Sequence, residues 1–120
     1  AGLRQKLLQA HQRGGLAPPN VRDVLEELGV SAKEAAPVLR LLCEEGALVR
    51  VKDGLYYDGG TLGGILEQVR LWFADHENLD VGGLKEMLGL SRKYLIALLE
   101  YMDNTRITVR VGDQRRYRGH

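Results

Sequence analysis

The chain has 120 residues, of which 44% are hydrophobic and 28% are charged, and its formal net charge is +1. This balance predicts a globular protein of one ordinary domain or two very small ones, and it excludes a largely disordered chain. Because the apolar runs are short and the N-terminal stretch lacks the apolar segment of a signal peptide, we expect neither a membrane span nor export, and we expect a cytoplasmic protein.

The first half of the chain begins with two predicted helices. An apolar stripe that starts at Leu3 predicts a helix that stops at Gly14-Gly15, and the segment 16–20 with its two prolines is expected to be extended. The second helix is predicted from Val21 to Leu28. It ends at Gly29, because glycine accommodates the left-handed conformation that often closes a helix.

A third helix and a hairpin complete this half. The sequence Ser31-Ala32-Lys33-Glu34 fits a capping box, in which serine and glutamate satisfy each other's backbone amides. Pro37 removes one hydrogen bond from the helix and is expected to bend it. The segments Leu48–Val51 and Leu55–Tyr57 flank Lys52-Asp53-Gly54, which is the pattern of a β-hairpin.

The second half repeats the first with an offset of sixty residues. Leu28-Gly29-Val30-Ser31 returns as Leu88-Gly89-Leu90-Ser91, and further identities at the same offset extend into the hairpins. Three helices followed by a two-stranded hairpin form a helix-turn-helix with a wing. The predicted fold is therefore mostly α with small β-hairpins, arranged as tandem winged-helix domains at residues 1–58 and 59–120.

The second copy is predicted to have the same order of helices and strands as the first. The preceding helices are predicted from apolar stripes at Leu62–Phe73, Val81–Leu88 and Leu95–Met102, with Trp72 and Phe73 on the core-facing side. In the strand that follows, Val109 and Val111 alternate with Arg110, so we predict a buried valine face and an opposite face that presents Arg110. Gly112–Arg115 is predicted as the turn, and Arg116–Arg118 as the returning strand.

The third helix of the second copy starts with two cations. Ser91-Arg92-Lys93-Tyr94 stands where the first copy has its charge-neutral capping box, and the helix dipole there is already positive. Backbone amides, a hydroxyl and two cations suit an anion, so we predict RNA contacts: Arg92 with a guanine or phosphate, Lys93 as a point charge and Tyr94 stacked on an unpaired base. The alternative is a solvated charged face with Tyr94 packed against the wing.

Further cations follow on the second wing. The predicted RNA contacts there are Arg110, Gln114, Arg115 and Arg116. From residue 92 onward seven basic residues stand against three acidic ones, whereas residues 61–91 carry two basic and five acidic, which favours a local basic face. A charged hairpin that merely avoids edge pairing is the alternative. Because the first wing carries as many acidic as basic residues, the first copy is assigned mainly to structure or to another partner.

The sequence offers no pattern for metal or covalent chemistry. A single cysteine, Cys43, excludes an internal disulfide and is expected to be a small buried hydrophobe, and the three histidines are too widely separated for a zinc site. There is no nucleophile with a neighbouring base and no glycine-rich phosphate loop. We therefore expect no metal, no cofactor and no catalytic residue.

Three segments of the second copy resemble a known family. Ser91-Arg92-Lys93-Tyr94, the helix end Leu98–Asp103 and the wing Thr108–Arg116 are similar to the C-terminal end of the bacterial selenocysteine-specific elongation factors. The match is specific over residues 80–118 and looser over the first copy, and Ala97 stands where many members have proline. In that family a GTPase is followed by four winged-helix domains, the last of which binds a stem-loop in messenger RNA.

The resemblance implies that this chain is the third and fourth of those domains without the GTPase. It implies that Arg92, Lys93 and Tyr94 contact the hairpin loop and an extruded base, with Arg110 and its neighbours near phosphate. The expected function is recognition of the selenocysteine insertion element by a monomer, which tethers the factor to its message for UGA recoding. Selenocysteinyl-tRNA, GTP and the ribosome would bind other regions. A DNA-binding winged-helix regulator and a protein-interaction module are the alternatives.

Overall fold

The computed structural model describes residues 2–119, which form six helices and two antiparallel β-hairpins. The helices are α1 (Leu3–Gly14), α2 (Val21–Leu28), α3 (Ala32–Glu44), α4 (Gly59–Asp75), α5 (Val81–Leu88) and α6 (Arg92–Asn104). The strands are β1 (Leu48–Lys52) and β2 (Leu55–Asp58), which pair with each other, and β3 (Thr108–Val111) and β4 (Gln114–Tyr117), which do the same. The predicted fold class, mostly α with two small hairpins, is confirmed.

The chain divides into two compact units between Leu62 and Gly63, which we call unit 1 and unit 2. The boundary predicted between residues 58 and 59 coincides with the start of α4. Asp58 precedes this helix, and its carboxylate accepts hydrogen bonds from the amide (3.0 Å) and the hydroxyl (3.1 Å) of Thr61. Asp58 therefore satisfies a first-turn amide in the manner of a helix cap.

Unit 1 is built on an apolar core to which all three of its helices and its hairpin contribute. The buried members of this core are Leu7, Val24, Leu25, Ala35, Leu39, Leu42 and Leu48. Removing a leucine side chain of this kind from water stabilises the fold by about 1.5–3 kcal/mol. Since α3 and β1 both pack into this core, the side chains that they present to solvent are held on a firm support.

The turn between the second and third helices is the same in both units. Gly29 closes α2 at φ +69° and Gly89 closes α5 at φ +67°, so both adopt the left-handed conformation predicted for such caps. The predicted capping box of α3 is also confirmed, since the Glu34 amide donates to the Ser31 hydroxyl at 3.1 Å. Helix α3 continues through Pro37. The two units therefore present their third helix in the same local manner.

Unit 2 has its own apolar core around α6. Its buried apolar side chains are Ile65, Val69, Leu79, Leu84, Leu88, Leu90, Leu95, Ala97, Leu98, Leu99 and Met102. Trp72 and Phe73, predicted on the core-facing stripe of α4, are half-buried at its edge. The Trp72 indole Nε1 donates to the carbonyl of Asn78 at 2.9 Å, and the Phe73 ring stacks on Tyr117 with 5.2 Å between centroids.

The structure of the second wing differs from the prediction in two details. Val109 and Val111 are 39% and 54% exposed, whereas Thr108, the first residue of β3, is only 1% exposed, so the valines do not form a buried face and Thr108 is the buried residue of this strand. The turn is shorter than predicted, because Arg115 already lies in β4 opposite Arg110. Both differences arise because Thr108 and Arg115 find a polar partner on α6, which strand periodicity does not reveal.

Candidate nucleic-acid interface

The start of α6 is exposed and lacks the cap that closes the start of α3. Arg92 and Lys93 are exposed in a first turn that carries no acidic residue, and the Ser91 hydroxyl makes no capping hydrogen bond. In α3 the equivalent hydroxyl of Ser31 is engaged by the Glu34 amide. First-turn amides have no acceptor within a helix. The start of α6 therefore offers backbone donors, a hydroxyl and two cations to solvent at one point.

Lys93 and Tyr94 form a pair on the same turn. The Lys93 ammonium nitrogen lies 5.0 Å from the centroid of the Tyr94 ring, which is within the range of a cation–π contact. Tyr94 is half-buried. The contact keeps the charge of Lys93 beside an aromatic surface, and both groups then lie at the start of α6.

A cleft of about 420 Å³ opens beside this helix start, and we call it the unit 2 cleft. One wall is a single face of α6, with Arg92, Ile96 and Glu100 at successive turns. The remaining lining residues come from the start of α5 and from the wing: Asp80, Val81, Gly82, Arg110, Asp113 and Arg115. The cleft thus combines guanidinium donors with carboxylate acceptors, which suits a ligand that has both phosphate and base edges.

Arg110 lies on the face of β3 that looks toward the unit 2 cleft. It shares this face with Thr108, since side chains alternate along a strand. The Nε of Arg110 donates to the carbonyl of Gly112 at 2.9 Å, so the guanidinium is held over the wing turn, and the residue as a whole is exposed. Arg92 and Arg110, two of the predicted RNA contacts, therefore line the same cleft.

Arg115 occupies a different position from the one predicted for a wing-tip residue. Its side chain is 5% exposed, and its Nη2 lies 3.0 Å from an Asp103 carboxylate oxygen. The other Asp103 oxygen accepts from the Thr108 hydroxyl at 2.7 Å. The backbone of Arg115 exchanges two hydrogen bonds with Leu79. Its buried guanidinium favours a role in fixing the wing on α6 over direct contact with a ligand.

Gln114 and Arg116 lie on the outer face of the wing. This face carries the exposed Val109 and Val111, with Arg116 opposite Val109 and the half-buried Gln114 opposite Val111. The Arg116 guanidinium pairs with Glu77 at 3.2 Å, with both side chains more than half exposed. An exposed pair of this kind is weak, so Arg116 remains available to a phosphate. The predicted site residues are therefore divided between two faces of the hairpin.

Within residues 2–119, histidine, cysteine and carboxylate side chains form no group that could hold a metal ion. None of the helices in the same part of the chain is long and apolar enough to cross a membrane. Cys43, predicted as a buried hydrophobe, is half-buried, and burial raises the pKa of its thiol.

Sequence reasoning missed the acidic side of the unit 2 cleft. Glu100 stands two turns beyond Arg92 on the same face of α6, a spacing that was readable from the sequence. Asp80 and Asp113 could not be found in this way, because α5 and the wing turn meet α6 only in the folded unit. The Asp80 carboxylate also accepts from the Gly83 amide at 2.8 Å, so it serves as the cap of α5.

Comparisons with known proteins agree with this architecture. A family model described as "Elongation factor SelB, winged helix" matches residues 71–117, which lie in unit 2. That model represents the third winged-helix domain, whereas the sequence resemblance makes residues 59–120 the fourth. A selenocysteine-specific elongation factor from Desulfomicrobium baculatum is 36% identical over 118 residues, which are 98% of this chain and 19% of that protein. The chain thus spans about a fifth of the curated relative that it matches.

Two solved structures share the fold of the whole chain. The mRNA-binding domain of elongation factor SelB from E. coli, in complex with SECIS RNA, superposes with a TM-score of 0.80 at 24% identity and covers 96% of both chains. A bacterial selenocysteine-specific elongation factor, EF-Sec, superposes with a TM-score of 0.76 at 30% identity, covering 96% of this chain and 18% of that one. The similarity therefore extends over both units and is not confined to the second.

Proposed function

We propose, from the similarity of this chain to SelB winged-helix domains, that unit 2 binds a stem-loop of messenger RNA through the start of α6 and the unit 2 cleft. The RNA is a selenocysteine insertion element, the ligand of the SelB domain whose fold this chain shares. The chain tethers a selenocysteine-specific elongation factor to the message that it decodes.

One observation carries this proposal: Arg92 and Arg110 line one cleft beside the uncapped start of α6. The two guanidinium groups and the helix N-terminus attract phosphate, although carboxylates line other parts of the same cleft. Phosphate oxygens that enter here meet backbone amides as well as cations. The site can therefore bind a bent RNA backbone firmly with few contacts.

The mixed charge of the unit 2 cleft suits a base as well as a phosphate. Arg92 can form two parallel hydrogen bonds with a guanine edge, whereas Lys93 offers only a point charge. Glu100 and Asp113 can accept hydrogen bonds from the amino groups of bases. Tyr94 supplies an aromatic face for a base that has left its stack. We assign sequence discrimination to Arg92 and the carboxylates, and anchoring to Lys93.

The wing extends the surface in two directions. Arg110 faces the unit 2 cleft, and Arg116 with Gln114 faces outward, so the hairpin can contact phosphates on either side of it. Arg115 holds β4 against α6 through Asp103 and acts by positioning its neighbours. Ser91 contributes its hydroxyl and the exposed start of the helix.

In the whole protein, this chain supplies binding and no catalysis. The full-length factor is a GTPase, and selenocysteinyl-tRNA, GTP and the ribosome contact its other regions. Decoding of UGA occurs where translation occurs, which assigns the chain to the cytoplasm. The fragment binds its RNA as a monomer without a cofactor.

The experiment that tests the proposal compares RNA hairpins with duplex DNA. Fluorescence anisotropy with a panel of hairpins of varied loop and bulge nucleotides should give one tightly bound group, and duplex DNA should bind only weakly at the same salt concentration. Equal or tighter binding to duplex DNA would favour a winged-helix DNA regulator. A protein partner whose binding is indifferent to Arg92, in a chain that binds no hairpin, would favour an interaction module.

A further inference from the structure

Unit 1 contains a cleft at the position that the repeat equates with the unit 2 cleft. This unit 1 cleft has a volume of about 370 Å³ and lies between α3 and the first wing. Four of its lining residues are counterparts, sixty residues earlier, of residues that line the unit 2 cleft. The pairs are Ala32 and Arg92, Ala36 and Ile96, Arg40 and Glu100, and Arg50 and Arg110.

The charge of the unit 1 cleft is more uniform than that of unit 2. Two arginines line it and no carboxylate does, because Arg40 stands where unit 2 has Glu100. Within residues 2–119 Arg40 has no ion-pair partner. Arg50 lies 3.3 Å from Asp53, whose side chain is 99% exposed, so this pair is weak and readily exchanged for another anion. The cleft is thus electropositive although unit 1 as a whole is not basic.

The floor of the unit 1 cleft is aromatic and apolar. Tyr56 is half-buried and rests edge-to-face against the buried His11, with 6.0 Å between ring centroids. Alanines at 32 and 36 leave room where unit 2 carries Arg92 and Ile96. A supported aromatic ring with space beside it and guanidinium groups at the rim is the combination that binds unpaired nucleotides with little regard to sequence.

We propose that the unit 1 cleft binds single-stranded RNA, with a base against Tyr56 and the flanking phosphates on Arg40 and Arg50. The balanced charges of the first copy assigned it mainly to structure or to another partner, and this proposal names single-stranded RNA as that partner. The inference rests on the proposed function of unit 2 only through the equivalence of the two clefts. A chain with both sites holds a hairpin through unit 2 and an unpaired segment of RNA through unit 1.

The test uses a fluorescent oligouridylate of about eight nucleotides, which forms no hairpin and matches the length that small single-strand sites cover. Its affinity for the full chain is compared between the wild type, Arg40→Gln/Arg50→Gln and Arg92→Gln. We expect the double variant to bind the oligonucleotide about tenfold more weakly and the hairpin unchanged, because the phosphate contacts of Arg40 and Arg50 are lost only in unit 1 while stacking on Tyr56 remains. Arg92→Gln should weaken hairpin binding and leave the oligonucleotide unaffected.

Cys43 provides a second readout, because it is the only cysteine in the chain and lines the unit 1 cleft. The oligouridylate should slow alkylation of Cys43 by iodoacetamide in the wild type and not in Arg40→Gln/Arg50→Gln. Arg13→Gln/Arg22→Gln is the matched control, since both of its arginines are exposed in unit 1 and lie outside the cleft lining. The control should retain both affinity and protection.

The proposal is overturned if the oligouridylate does not bind the wild type or leaves Cys43 unprotected. It is also overturned if Arg92→Gln alone abolishes binding, or if the control pair weakens it as much as the cleft pair. An oligoglutamate peptide that binds through Arg40 and Arg50 while RNA does not would assign the cleft to an acidic protein. If the wild type bound no hairpin, the proposed function of unit 2 would be contradicted. The oligouridylate measurement would still test the unit 1 cleft on its own.

Discussion

Asp103 and Arg115 form an ion pair with 3.0 Å between Oδ2 and Nη2, and this pair joins the last turns of α6 to β4. The same carboxylate accepts the Thr108 hydroxyl from β3, so both strands of the wing are attached to the helix that carries Arg92. The equivalent positions of unit 1 hold Cys43, Leu48 and Leu55. Unit 2 therefore uses a polar network where unit 1 uses apolar packing.

Replacing Asp103 with Ala should destabilise unit 2 by about 2–4 kcal/mol, because the buried guanidinium of Arg115 loses its partner. The measurement is urea unfolding of the full chain. The triple variant Asp103→Cys/Thr108→Leu/Arg115→Leu reproduces the residues of unit 1 and should recover much of the loss, since no polar group is then stranded. A triple variant less stable than Asp103→Ala would contradict this account of the network.

The two serines that precede the third helices should respond differently to substitution. Ser31→Ala removes a capping box and should cost about 1 kcal/mol of stability, without changing affinity for a hairpin. Ser91→Ala removes a hydroxyl that makes no capping bond, so its cost in stability should be smaller and its effect should fall on RNA binding. Thermal unfolding measures the loss of stability, and fluorescence anisotropy measures the loss of hairpin affinity. A larger loss of stability in Ser91→Ala than in Ser31→Ala, with hairpin affinity unchanged, would be inconsistent with an uncapped start of α6.

Folding stability of unit 1 should decrease in mild acid because of His11. The side chain is fully buried, its Nε2 has no hydrogen-bond partner, and burial lowers its pKa below the usual 6.5. The unfolded chain therefore binds the proton first. Stability is complete above pH 6.5 and is lost as the pH falls from there to the depressed pKa, with a slope of up to about 1.4 kcal/mol per pH unit.

The measurement for His11 is a series of urea unfolding curves between neutral and mildly acidic pH. His11→Leu should flatten the part of the profile just below pH 6.5, because its side chain has no proton to bind. An identical pH dependence in wild type and His11→Leu would rule out His11 as the cause.

Lys93 should behave as a phosphate contact. Lys93→Gln is expected to weaken binding by a similar factor for every hairpin and to reduce the slope of log affinity against log salt by about 1. The reason is that an ammonium group that contacts one phosphate releases one counterion from the RNA and does not distinguish between bases. Anisotropy titrations at several salt concentrations measure the slope. A loss confined to one loop sequence, with an unchanged salt slope, would instead make Lys93 a base-reading residue.

Local pattern predicted the helices, the left-handed glycine caps, the capping box of Ser31 and both hairpins, because each depends on residues close together in the chain. The burial of Thr108 and Arg115 was missed because it depends on Asp103 and Leu79, which contact the wing only after folding. The unit 1 cleft was missed for a related reason. The first wing has equal numbers of acidic and basic residues in the sequence. In the folded unit, Arg40 and Arg50 line one cleft, whereas the Asp53 side chain is exposed to solvent.

The central claim is that Arg92 reads a base of a folded RNA at the start of α6. The most direct measurement is the affinity of Arg92→Ala and the wild type for hairpins that differ at single loop nucleotides, with Lys85→Ala as an exposed control outside the cleft. Arg92→Ala should cost about 1–3 kcal/mol on the preferred hairpin and much less on the others, so that discrimination is lost. An equal loss on every hairpin, or none on any, would contradict the account.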